Sequence, residues 1–152
     1  MKLLARAALF AALIFLGTFV LHIPIPSGYI HLGDGFLYAA ALMLPPGYSA
    51  AAGAAGGMLS DMLAGYAAYA PWTAGVKALS ALPVALLCRK SRFAEAFGRG
   101  GRLAARDWLP VAAGLAAAAL LNAGGYFVAD TTLYGVTAAW VSLPFNIVQS
   151  AA

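Results

Sequence analysis

Lys77 asks more of its surroundings than any other residue in this chain, because it places an ammonium four positions into the apolar run 73–88. A lone cation well inside a membrane-type helix costs about 3 kcal/mol on insertion scales, so it needs a counter-charge or a wet cavity. Asp61 is the expected partner, five residues before the end of the apolar run 50–66. If those runs are helices joined by a short turn, both groups lie about 7 Å below one boundary. The pair then either staples two helices or forms the polar wall of a ligand cavity. The second reading is favoured because other groups share the depth. Thr73, Lys77 and Ser80 fall on one helix face, Asn122 and Tyr126 repeat the i, i+4 step, and Ser142, Asn146 and Gln149 line a third face. A single amide or hydroxyl in lipid is as often interhelical glue. Taken together, the ammonium and amides suit the ring nitrogens and hydroxyls of a small, flat, polar heteroaromatic ligand, with Trp72, Tyr126 and Trp140 able to cover a ring. Trp72, Trp140, Tyr66 and Tyr69 also fit an interfacial aromatic belt. His31 and Asp34, in HLGDG (31–35), are added to the expected ligand set. With no second histidine motif beside them they form only a weak metal pair, and neither a metal nor a cofactor is expected.

The elements that position these residues follow from composition. Of 152 residues, 63% are hydrophobic and 9% charged, against about 25% charged in a soluble domain. Such a chain has too little polar surface to face water, so its solvent is lipid. The expected fold is all-α: a single integral membrane bundle of six transmembrane helices over residues 1–152. The apolar run 3–21 is long enough to cross a hydrocarbon core of about 30 Å. It resembles a signal-peptide core, but no small-residue cleavage site follows and further apolar runs do. Residues 23–34 are expected to be an outer loop, 35–44 a short second span, 45–47 a tight inner turn, 50–66 a third span and 73–88 a fourth kinked at Pro83. Residues 108–129 make a charge-free fifth span and 130–137 an outer loop. A sixth helix begins at Ala138 and reaches Ala152 before it has clearly crossed. Small residues stripe the helices, as Gly53, Gly57, Asp61 and Gly65 on the third and the pairs Ala7/Ala11 and Ala8/Ala12 on the first, which permits close helix approach.

Charge placement gives the orientation. Lys2 and Arg6 open the first run, and six of the nine basic residues crowd the segment 89–106. The positive-inside rule puts both in the cytoplasm, and the four spans between them agree. RKSR and GRGGR therefore read as topogenic charge, and no nucleic-acid partner is expected. The lone Cys88 forms no disulfide or metal motif.

At HLGD (31–34), and again at GGMLSDMLAGYAAYAPWTAGVKALSAL (56–82), the sequence resembles the substrate-binding S components of energy-coupling-factor (ECF) transporters, the branch grouped with riboflavin, hydroxymethylpyrimidine and pyridoxine. The matching stretch, 31–82, is about a third of the chain. The resemblance implies a prokaryotic plasma-membrane protein with its N-terminus in the cytoplasm. It further implies a vitamin pocket on the outer side and, as partners, a transmembrane T component and two ABC-type ATPases. It places the docking surface for the T component at Ala7/Ala11 or Ala8/Ala12. A self-sufficient secondary carrier or channel would favour inverted repeats and ionisable groups across the full depth, whereas these cluster at one side. No HExxH, GxSxG or DxxD occurs, so no enzymatic activity and no catalytic residue are expected.

Overall fold

The computed structural model describes residues 1–25, 28–89 and 104–151. Most of the basic linker, 90–103, lies outside the described residues. The rest forms six α-helices: α1 Lys2–Phe19, α2 Gly33–Met43, α3 Pro46–Leu63, α4 Ala70–Arg89, α5 Leu109–Tyr134 and α6 Val136–Ala151. A short 3-10 turn, Ala105–Trp108, leads into α5. The chain is thus an all-α membrane bundle. Three helical stretches, Lys2–Phe19, Ala70–Arg89 and Ala105–Tyr134, are long and apolar enough to cross a bilayer.

The packing is polar inside and apolar outside, the arrangement lipid demands. Leu9, Leu79, Leu120 and Val141 are exposed, while Lys77, Asp34, Asn122, Ser60 and Ser80 are almost fully buried. An apolar cluster of Ile14, Leu37, Ala52, Ala81, Val84, Val111 and Ala118 fills the remaining interior. Glycines set the helix spacing. A Cβ on Gly56 would lie 2.6 Å from the Ala11 carbonyl of α1, and one on Gly114 would lie 2.9 Å from the Val84 Cα of α4. The stripe on α3 behaves as its spacing predicts: Gly57 lies against the Lys77 stem and Gly53 against the Lys77 carbonyl. Gly65 falls outside that stripe. It takes φ +87° just past the end of α3, and the Tyr66 N–H donates to the Asp61 carbonyl at 2.8 Å, a Schellman closure.

Two expected loops are corrected. Within 23–34 the chain forms an antiparallel hairpin, β1 His22–Ile25 with β2 Gly28–His31, in which His22 opposes His31. Asp34 then stands in the first turn of α2 rather than in a loop. The hairpin occupies residues that a longer second span would have needed, so α2 keeps 11 residues, about 16 Å of helix. Residues 130–137 are not a loop either. α5 continues to Tyr134, and within it the Thr131 and Thr132 hydroxyls donate back to the Phe127 and Val128 carbonyls. Gly135, at φ +92°, makes the turn into α6 in a single residue.

Candidate functional site

The site is assembled at the hairpin end of the bundle by α2, α4, α5, α6 and β2. Gly17 and Gly33 bring α1 against the start of α2: a Cβ on Gly17 would sit 3.3 Å from the Gly33 Cα. The Leu32 N–H donates to the Gly17 carbonyl at 3.2 Å. This anchoring turns Asp34 inward, where it is 1% exposed.

Lys77 meets Asp34 there, and the expected pairing with Asp61 is corrected accordingly. The Lys77 ammonium donates to Asp34 Oδ1 at 2.6 Å and to Asn122 Oδ1 at 3.0 Å, and it lies 5.3 Å from the centre of the Tyr126 ring. Salt bridge, amide and aromatic face together satisfy a buried ammonium. Asn122 Nδ2 donates to Ser150 Oγ at 3.0 Å. Gln149 Nε2 donates to Asp34 Oδ2 at 3.1 Å and to the His31 carbonyl at 3.0 Å, and the His31 N–H donates to Gln149 Oε1 at 2.7 Å. Asp61 is 5% exposed on α3, one turn beyond Gly57.

His31 Nδ1 accepts the Gly33 N–H at 3.0 Å, so that nitrogen carries no proton. Burial, followed by the nearby Lys77 charge, lowers the His31 pKa to about 4, and Asp34 offsets only part of that. The imidazole is neutral at pH 7.

The α4–α5 seam carries a polar ladder in three rungs. Lys77–Asn122 is the deepest. Thr73 Oγ1 and Tyr126 Oη lie 3.1 Å apart in the next, and the Tyr69 hydroxyl donates to Asp130 Oδ1 at 2.5 Å in the last. The residues step by four in opposite directions, 69, 73, 77 (Tyr69 in the turn just before α4) against 130, 126, 122 on α5, as antiparallel neighbours must. Asn146 Nδ2 donates to Asp130 Oδ2 at 3.4 Å and ties α6 to the last rung. Burial and then the Asp130 bond push the Tyr69 phenol far above its ordinary range.

Of the expected residues, Lys77, Asp34, Asn122, Tyr126, Gln149 and His31 meet in one network, and Asn146 joins at its rim. Trp72 is half-buried near the start of α4. Trp140 does not join: it is 62% exposed and packs edge-on against Phe127, 5.2 Å between ring centres. Asp130 and Ser150 were missed. Asp130 is within reach of the sequence, since the step from Asn122 to Tyr126 arrives at it when taken once more, but the expected loop 130–137 hides it. On α1, Ala7 is buried and Ala11 partly so, leaving Ala8 and Ala12 exposed. Among the described residues, no group of three or more potential metal ligands occurs.

The family model for the ECF-type riboflavin transporter S component matches residues 1–152. No curated protein matches the chain. A polar network sealed within an apolar helix bundle, together with a match along the whole sequence, places this chain in the family of ECF transporter S components, the substrate-binding membrane subunits of vitamin transporters.

Proposed function

We propose that the chain is the high-affinity binding subunit of an ATP-driven importer, and that it holds a small, flat, polar heteroaromatic vitamin of the riboflavin, hydroxymethylpyrimidine or pyridoxine type. The observation that carries this reading is the buried Lys77–Asp34–Asn122–Gln149 network at one end of the bundle. Its donors and acceptors converge from four separate helices, and pockets of this kind orient ligands with few polar groups in an apolar wall. Tyr126 supplies a ring face next to Lys77, with Asn146, Asp61 and Trp72 nearer the mouth. Trp140, facing outward, is assigned to the lipid boundary.

The chain makes six passes in the prokaryotic plasma membrane. Its N-terminus and basic linker are cytoplasmic and its hairpin external, in line with the positive-inside rule. No nucleotide-binding loop occurs in the sequence, so ATP hydrolysis comes from two ABC-type ATPases acting through a transmembrane T component. The Ala8/Ala12 stripe on α1 is the surface on which the T component docks, because small exposed residues allow a partner helix to approach closely.

The test is mass spectrometry of small molecules retained through purification, followed by titration with riboflavin, pyridoxine and hydroxymethylpyrimidine. One of the three should bind, and Asn122→Ser should weaken it at least tenfold. Binding of none, with no heteroaromatic compound retained, would remove the vitamin-binding reading.

A further inference from the structure

Beyond the ion pair, on the side toward the basic linker, two buried hydroxyl oxygens have no hydrogen-bond partner among the described residues: Tyr38 Oη and Ser80 Oγ. Tyr38 follows Asp34 by four residues on α2, and Ser80 follows Lys77 by three on α4. The Cα of each therefore lies about 4.5–6 Å, roughly one helical turn, below the Cα of its own member of the pair. The two helices run in the same direction from the hairpin end and pack on one another. Ser80 is 1% exposed, and Tyr38 packs on the apolar cluster that includes Ala81 and Val84 of α4. The Tyr38 phenol is also within electrostatic reach of both Lys77 and Asp34, so it faces the interior between these helices.

Hydroxyls stripped of water are nearly always given a partner, since leaving one unmet forfeits its solvation with no return. Two on packed helices, each about one turn past its own member of a buried ion pair, mark a place built to receive something polar. We propose that Tyr38 and Ser80 form a second polar level beneath the Lys77–Asp34 pair, and that this level takes a hydroxyl-type guest, a neutral group that donates and accepts a hydrogen bond at once. A charged guest does not suit it, because Lys77 already spends its charge on Asp34 and Asn122. The guest is either one ordered water or a hydroxyl of the bound vitamin. The second source rests on the substrate-binding reading above, and the first does not.

Tyr38→Phe and Ser80→Ala each delete one hydroxyl and little else. The full-length protein, freed of ligand in detergent, is compared as wild type, both singles and the double. If the guest is water, each single lowers Tm by several degrees and the double falls no further than the worse single, since both hydroxyls serve one guest. If the guest is a vitamin hydroxyl, ligand-free Tm holds. Affinity for whichever of riboflavin, pyridoxine or hydroxymethylpyrimidine binds then drops about tenfold in each single and no further in the double. Unchanged or raised Tm with unchanged affinity overturns the proposal. So does a Tm loss that simply adds in the double, the mark of two independent packing defects. If the wild type binds none of the three probes, the vitamin reading is what fails, and the Tm comparison alone decides: unmoved or raised Tm overturns the second level.

Discussion

Gln149 holds His31 by both of its backbone groups, across 118 residues of sequence. The side-chain amide takes the place that a third strand would occupy beside β2, and the same Nε2 reaches the Asp34 carboxylate. Hairpin, α2 and α6 are thereby joined at one side chain. Gln149→Ala would remove both of these bonds from the buried His31 backbone, at about 1 kcal/mol or more for each. Thermal unfolding in detergent should show a clear loss of stability, and limited proteolysis should cut first within the hairpin.

Lys77→Met keeps the length of the side chain and removes its charge, leaving the Asp34 carboxylate buried without its cation. Breaking a buried pair from one side costs about 3–5 kcal/mol. Adding Asp34→Asn should restore much of the lost stability, and Asp61→Asn should restore less, because Asp34 is the carboxylate 2.6 Å from the ammonium. Thermal unfolding of the two double variants makes the comparison. Equal rescue by both would count against Asp34 as the principal partner.

The neutral His31 gives the fold a dependence on acid. Its folded pKa, about 4, is below the ordinary 6.5. Above pH 6.5 both folded and unfolded chains leave it unprotonated, and its contribution is flat. As pH falls from 6.5 toward 4 only the unfolded chain gains the proton, so stability declines, by about 3 kcal/mol once pH is well below 4. The charged and titratable groups facing it are Lys77, Asp34 and His22. His31→Asn keeps an acceptor for the Gly33 N–H and cannot titrate. Denaturation midpoints between pH 7 and pH 4 should flatten in that variant over the upper part of the window.

Much of this was legible in the sequence, and the misses have physical causes. The order of the six helices followed from apolar runs and punctuating Pro and Gly, and Lys77 announced a polar interior because nothing else justifies an ammonium there. Its partner was not legible. Consecutive helices α3 and α4 point to Asp61, whereas Asp34 reaches the same depth only because a hairpin shortens α2 and two glycines press its start onto α1. IPIPSGYIH reads as a proline-broken loop, and its pairing as strands is local geometry that period counting does not detect. Gln149 was expected on a polar face of the sixth helix, but its grip on a backbone 118 residues away depends on tertiary closure.

Ala8→Leu with Ala12→Leu adds bulk to the exposed stripe of α1 and touches no residue of the buried network. Vitamin binding by the isolated subunit should be unchanged within twofold, and ATP-dependent uptake in cells carrying the T component and ATPases should fall at least tenfold. The same change at Ala7 is expected to unfold the protein instead, since Ala7 is 7% exposed within the bundle. Uptake that persists in the double variant would move the docking face elsewhere.

The three rungs between α4 and α5 differ in chemistry while sharing one spacing, and this makes the seam a vernier. Displace α4 by one turn and Lys77 comes opposite Tyr126 or, the other way, the apolar Ala118, while Tyr69 loses its carboxylate; no shifted alignment recovers three matched pairs. Sliding between these two helices is therefore forbidden even in a bilayer that would tolerate it. Whatever motion admits or releases cargo must leave α4 and α5 in step and swing other elements about them.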